Sequence, residues 1–127
     1  MNNLIGYTWK DASNKATIDV TNPATGKLID TVPNVTLDDV DEAVKVAQIE
    51  QKKWKEVSLY ERAEKLYKFV DLVEENKDRL ASLLSEETGK PIKEAYAEVA
   101  NVKIGVRGFV ERAKHLYNDS IPAGQEA

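Results

Sequence analysis

Hydrophobic and polar positions alternate in short runs over the first 35 residues of the chain. Two β-rich runs, 16–21 and 27–32, flank the connector Asn-Pro-Ala-Thr-Gly at 22–26. Proline suits an early position of a turn, and glycine supplies the left-handed residue before the second strand. The pattern therefore predicts a β-hairpin. We expect its second strand to end at Pro33, because proline cannot donate a hydrogen bond to a β-ladder.

The apolar run at 4–9 predicts one further short strand ahead of the hairpin. Two or three short strands are marginally stable in isolation. We therefore expect the strands to lie on a surface supplied by other elements.

From Thr36 onward the apolar positions repeat with a period of 3.6, which is typical of amphipathic helices. Thr36 with Asp39, and Ser58 with Glu61, have the spacing of capping boxes. The pattern predicts helices over 36–57, 58–86 and 91–117, with an interruption at 76–78 in the second. The apolar stripe of the first helix comprises Leu37, Val40, Ala43, Val44, Ala47 and Trp54.

Gly89, Lys90 and Pro91 separate the second and third predicted helices. Glycine suits the left-handed position after a helix, and proline can begin the next one. Gly105 and Gly108 lie inside the last helix, where each costs about 1 kcal/mol relative to alanine. Close packing against a neighbouring element is the expected reason, and a ligand-facing surface is the alternative.

The composition excludes several classes of function. There are 18 Lys and Arg against 22 Asp and Glu, a net charge of −4, so no basic excess favours nucleic acid. No apolar run has the length of a membrane span, and the N-terminus has no signal-peptide pattern. We expect a cytoplasmic protein.

The 127 residues include no cysteine and a single histidine, His115, expected at the end of a helix. Thiol nucleophiles and thiolate metal sites are therefore excluded. No glycine-rich dinucleotide fingerprint and no Gly-x-Ser-x-Gly motif occurs. Residue patterns alone predict an α+β domain and indicate no activity. We expect its helical aromatics, Trp54, Tyr60, Tyr67 and Phe69, in the core or between helices.

Four motifs occur in an order typical of one enzyme family. They are Thr-Asn-Pro-Ala-Thr-Gly-Lys at 21–27, Val-Asp-Glu-Ala-Val at 40–44, Glu-Glu-Thr-Gly-Lys-Pro at 86–91 and Ser-Ile-Pro at 120–122. Over residues 4–122 the chain resembles the N-terminal quarter of an NAD(P)-dependent aldehyde dehydrogenase, particularly of the succinate-semialdehyde and lactaldehyde group.

The resemblance implies an α+β fragment of the family's α/β cofactor-binding domain. Residues 1–127 would form its N-terminal portion, with strands and a hairpin over 1–35 and three or four amphipathic helices over 36–118. In the family, the catalytic cysteine, the catalytic glutamate and the main cofactor-binding segment follow this portion. The resemblance therefore implies that NAD or NADP serves the full-length enzyme, and that this fragment alone is inactive and binds neither.

The resemblance implies a functional role for only a few residues of this chain. Ala97 and Asn101 match positions that border the mouth of the family's substrate tunnel, although ordinary helix surface is an equally simple interpretation. The carbonyls of Val20 and Thr21 with the carboxylate of Glu87 match a monovalent cation site of some members, since oxygen ligands suit a hard cation.

Two hypotheses about function remain open from the sequence. In the first, the chain joins the rest of an aldehyde dehydrogenase polypeptide and, when isolated, associates with itself. The surface expected to do so includes Val102, Val106, Phe109 and the strand edges. In the second, it is a non-catalytic helical interaction module.

Overall fold

The first apolar run folds back on itself at Gly6. In the computed structural model, which describes residues 2–115, β1 (Asn3–Ile5) pairs antiparallel with β2 (Thr8–Lys10). Gly6 has a φ of 62°, which a two-residue hairpin turn requires. The prediction of a single strand over 4–9 is therefore wrong.

The second hairpin is confirmed within one residue at each end. It pairs β3 (Thr17–Thr21) with β4 (Leu28–Pro33), so that Pro33 is the last residue of its strand. The Asn22 side chain accepts hydrogen bonds from the amides of Ala24 and Thr25, at 2.9 and 3.2 Å. The connector thus forms a turn closed by its own asparagine.

Four helices follow, and the interruption predicted at 76–78 is confirmed, because Asn76 separates two helices within 58–86. Its Nδ2 donates to the Leu72 carbonyl at 2.8 Å, and its backbone lies between two helices. Asparagine ends helices in this way because its side chain competes for backbone partners. The last helix begins after Pro91, and predicted positions 116–117 lie outside the described residues. The helices are α1 (Leu37–Glu56), α2 (Leu59–Glu75), α3 (Lys77–Thr88) and α4 (Ile92–Lys114).

Both predicted capping boxes are present. Asp39 donates its amide to the Thr36 hydroxyl at 3.3 Å and accepts the Thr36 amide at 2.9 Å. The amides of Thr36 and Ser13 hold the pKa of Asp39 below its ordinary value. At the start of α2, the Ser58 hydroxyl accepts the Glu61 amide, and the Glu61 carboxylate accepts the Ser58 amide, both at 3.2 Å.

Loss of the Ser58 cap should destabilise the chain measurably. Ser58→Ala leaves the Glu61 amide without its acceptor at the exposed start of α2, and cap loss typically costs about 1 kcal/mol. Reversible denaturant unfolding followed by circular dichroism measures the change. Ser58→Asp, which retains an acceptor, is the matched control. Equal stability of the alanine variant and the parent chain would contradict the assigned role of Ser58.

The core is small and consists mainly of alanine and valine. It lies where α4 contacts α2 and α3, and Val70 is its largest fully buried side chain among the described residues. The aromatic prediction is wrong for Tyr60 and Phe69, which are 72% and 48% exposed. Within residues 2–115, more large apolar side chains are exposed than buried. The buried residues of this part of the chain are Ala12, Ala63, Val70, Ala81, Ala95, Val99 and Val110.

Gly89 joins the second hairpin to the helices. Its φ of 71° is left-handed, and a Cβ placed there would lie 2.9 Å from Pro23 Cγ. Any larger residue would be strained twice, by its backbone and by this contact. The hairpin turn is thereby held against the junction between α3 and α4. No helix within residues 2–115 combines the length and apolarity needed to cross a membrane.

Candidate functional site

Ala97 and Asn101 lie on the outer face of α4. Each follows a buried residue, Ala95 or Val99, by two positions, which is a rotation of about 200° around the helix. Both are exposed and point away from α2 and α3. Their assignment to the mouth of a substrate tunnel stays a prediction, because this position is also compatible with ordinary helix surface.

The same outer face carries the two glycines of α4. A Cβ at Gly105 or Gly108 would meet nothing within 4 Å, so close packing against another described element is not the reason for either glycine. That expectation is wrong for residues 2–115. The glycines line a shallow depression of about 260 Å³ beside Ile104 and Phe109, which are 70% and 73% exposed. The face is therefore open and partly apolar, and the alternative of a ligand-facing surface stays a prediction.

The residues of the predicted cation site lie on two elements, the second hairpin and α3, and Pro23 lies close to Gly89 between them. Val20 and Thr21 flank an irregularity in the pairing of β3 with β4, and Glu87 lies in the last turn of α3. The contact of Pro23 with Gly89 brings the adjoining turn to that end of α3. The cation site stays a prediction. Within residues 2–115 no group of three or more histidine or acidic side chains could hold a metal ion.

An apolar groove runs between α2 and α4. Its volume is about 420 Å³, and Arg62 lies in its wall with a buried Nε that has no hydrogen-bond acceptor among the described residues. The helical periodicity of the sequence indicated apolar stripes on α2 and α4. It did not show that no other described element covers them. The groove therefore suits an apolar segment that brings an acceptor for Arg62. The other lining residues are Trp54, Leu59, Ala63, Leu66, Val106, Phe109, Val110 and Ala113.

A polar cluster ties α2 to the end of α4. Lys114 Nζ lies 3.0 Å from the Tyr67 hydroxyl, 2.9 Å from Glu111 and 5.2 Å from the centre of the Tyr67 ring, and Tyr67 donates to Glu111. Tyr67 and Lys114 hold the pKa of Glu111 below its ordinary value, while Tyr67 and Glu111 raise the pKa of Lys114. Glu111 and Lys114 are therefore both charged at neutral pH, which makes the cluster poorly suited to proton transfer. Its hydrogen bonds instead connect α2 to α4.

The strands of the described residues form two separate antiparallel hairpins. Doubly wound dinucleotide-binding folds hold the pyrophosphate with a parallel strand followed by a glycine-rich turn and a helix start, and residues 2–115 contain no such arrangement. That this part of the chain binds neither NAD nor NADP by itself stays a prediction.

These elements are those of one enzyme class. The model of the aldehyde dehydrogenase family matches residues 9–127, and the chain belongs to this family. It is 41% identical over 121 residues to the glutarate-semialdehyde dehydrogenase of Pseudomonas putida, covering 95% of this chain and 25% of that protein. It is 37% identical over 122 residues to the NADP(+)-linked succinate-semialdehyde dehydrogenase of Escherichia coli, covering 96% and 25%.

A solved structure has the same fold over almost the whole chain. The crystal structure of an aldehyde dehydrogenase from Brucella melitensis biovar abortus matches with a TM-score of 0.90 at 38% identity, covering 98% of this chain and 26% of that one. The chain thus spans about a quarter of the length of the relatives it matches. The predicted family and the predicted α+β N-terminal portion are confirmed.

Proposed function

We propose that this chain forms the N-terminal part of an NAD(P)-dependent aldehyde dehydrogenase that oxidises a small carboxylate-bearing aldehyde to the acid. The observation that carries the proposal is the match of nearly all the chain to one quarter of such enzymes. The substrate class follows from the relatives, two of which are named for glutarate and succinate semialdehydes.

In this proposal the chain supplies structure to the enzyme and no reacting group. Nucleophilic oxidation of an aldehyde needs a thiolate, and the 127 residues contain no cysteine. The nucleophile and the cofactor site, for NAD or NADP, belong to the rest of the dehydrogenase polypeptide. Ala97 and Asn101 would face the substrate entrance, and Val20, Thr21 and Glu87 would face a monovalent cation.

The proposal includes location and partners. We place the enzyme in the cytoplasm, and the net charge of −4 on this 127-residue chain disfavours nucleic acid as its partner. The partner of the α2–α4 groove is the remaining dehydrogenase polypeptide, which would cover Phe109 and supply an acceptor to Arg62. Without that polypeptide, Val102, Val106 and Phe109 favour self-association. Membership of the family disfavours the alternative of an independent helical interaction module.

A chimera tests the proposal. The N-terminal quarter of the E. coli succinate-semialdehyde dehydrogenase is replaced by this chain, which aligns with it over 122 residues. We expect the chimera to have the mass of the parent enzyme and to oxidise succinate semialdehyde with NADP, because the fold of the segment is retained. Turnover is followed by the absorbance of the reduced nicotinamide.

The control is the parent enzyme without its N-terminal quarter, which we expect to be insoluble or inactive. A chimera that is soluble, has the parent's mass and shows no turnover would argue against the proposal. Turnover by the shortened control would do so too, since the segment would then be dispensable.

A further inference from the structure

Three cationic side chains line a second depression beside the α2–α4 groove. Its volume is about 390 Å³, and we call it the basic pocket. Trp54 and Arg62 line both the groove and the pocket, so the two adjoin. An apolar surface therefore leads directly into a cationic one. The lining residues of the basic pocket are Gln51, Lys52, Trp54, Lys55 and Arg62.

The cations of the basic pocket have no counter-charge within the described part of the chain. Lys52, Lys55 and Arg62 form no ion pair within residues 2–115, and no acidic side chain lines the pocket. The buried Nε of Arg62 also has no acceptor there. Removing a charge from water without a partner is costly. Whatever covers the basic pocket must therefore be acidic.

Helical geometry places the cations in sequence along this surface. Lys55 and Lys52 lie about 100° and 160° from Trp54 in the same direction around α1. Both lysines line the basic pocket only, whereas Trp54 and Arg62 also line the groove. A segment that leaves the groove therefore passes Arg62 first and the lysines afterwards.

We propose that the α2–α4 groove takes an amphipathic, acidic segment from the rest of the dehydrogenase polypeptide. One carboxylate of this segment pairs with Arg62, and further acidic side chains lie toward Lys55 and Lys52. Its apolar side chains cover Leu66 and Phe109, which are 39% and 73% exposed. The inference rests on the proposed function and deepens it, because it gives the chemistry of the partner.

The physical reason for a carboxylate is the shape and charge of the guanidinium. Its planar fork pairs with a carboxylate through two parallel hydrogen bonds, and such charge-assisted bonds are stronger than those to a neutral carbonyl. A neutral apolar segment would fill the groove equally well but would leave Arg62 without a counter-charge once covered. The cations thus select among the segments that the groove alone would accept.

The first test compares one substitution in two settings. Arg62→Met removes the charge and keeps a long side chain. In the isolated chain we expect an unchanged or higher melting temperature, because Arg62 has no ion-pair partner there. In the chimera with the E. coli succinate-semialdehyde dehydrogenase we expect a decrease of several degrees, because a covered carboxylate loses its partner.

The matched control for this test is Arg79→Met. Arg79 is exposed on α3 and forms no ion pair within residues 2–115. We expect its replacement to leave both melting temperatures unchanged.

The second test identifies the acidic segment by cross-linking. A carbodiimide couples a lysine amine directly to a carboxylate that it contacts. In the chimera we expect peptide mass spectrometry to find Lys55 or Lys52 joined to an acidic residue of the E. coli part. Lys55→Arg keeps the charge but has no amine to couple, so it should remove the products assigned to Lys55.

Three results would overturn the proposal. They are a chimera as stable with Arg62→Met as without it, an equal loss of stability in the isolated chain, and lysine cross-links that join two copies of this chain. The last result would make a second copy the occupant. An active chimera that tolerates Arg62→Met contradicts this contact alone, whereas a folded chimera without turnover contradicts the proposed function.

Discussion

Purified alone, the 127-residue chain should not reduce NAD or NADP with any short aldehyde. The thiohemiacetal route begins with attack by a thiolate, and the chain contains no cysteine to supply one. The polar groups that the structure brings together do not replace it, because Glu111 and Lys114 form an ion pair that is charged at neutral pH, with the Tyr67 hydroxyl hydrogen-bonded to both. The expected rate is that of the buffer blank.

Nicotinamide absorbance with succinate or glutarate semialdehyde measures the rate, and the E. coli succinate-semialdehyde dehydrogenase serves as the positive control. Turnover above the blank that follows the concentration of the chain and survives further purification would contradict the assignment of a structural role. Serine or lysine would then have to be considered as the nucleophile.

Local features were predicted from the sequence with little error. The two capping boxes and the second hairpin depend on residues three to five positions apart, whose hydrogen bonds the structure contains. Gly89 was predicted to end a helix only because glycine readily adopts the left-handed backbone conformation. The structure adds a second reason, the contact with Pro23, which spacing along the chain does not show.

The errors have two physical sources. Gly6 lies within an apolar run and supplies a chain reversal that hydrophobic periodicity passes over. The exposure of Tyr60 and Phe69 has another source. An apolar stripe shows which face of a helix prefers burial, but it does not show whether another element covers that face. A chain spanning a quarter of its relatives' length leaves several such faces bare.

The candidate site was less predictable than the fold. Ala97 and Asn101 came from a resemblance, and the structure shows only that they are exposed on one face of α4. The α2–α4 groove could have been anticipated from the stripes of both helices together. The position of Arg62 in that groove depends on how the helices cross, which the pattern along one helix does not define.

The substitution Val70→Asp should unfold the helical part of the chain. Val70 lies on α2 and is fully buried, and the buried residues of the described part of the chain include no charged side chain that could pair with a carboxylate. An unpaired buried charge costs about 3 to 5 kcal/mol. A core of mostly alanine and valine leaves a small reserve of stability, so this cost is a large part of the total. Loss of helical circular dichroism and of a cooperative melting transition measures it.

The matched control is Leu72→Asp, two residues along the same helix. Leu72 is 57% exposed, so its carboxylate stays in water and the expected cost is below about 1 kcal/mol. The two variants have the same net charge, which removes charge as an explanation for any difference between them. If Val70→Asp melts within a few degrees of Leu72→Asp, then α2 is not held by this core.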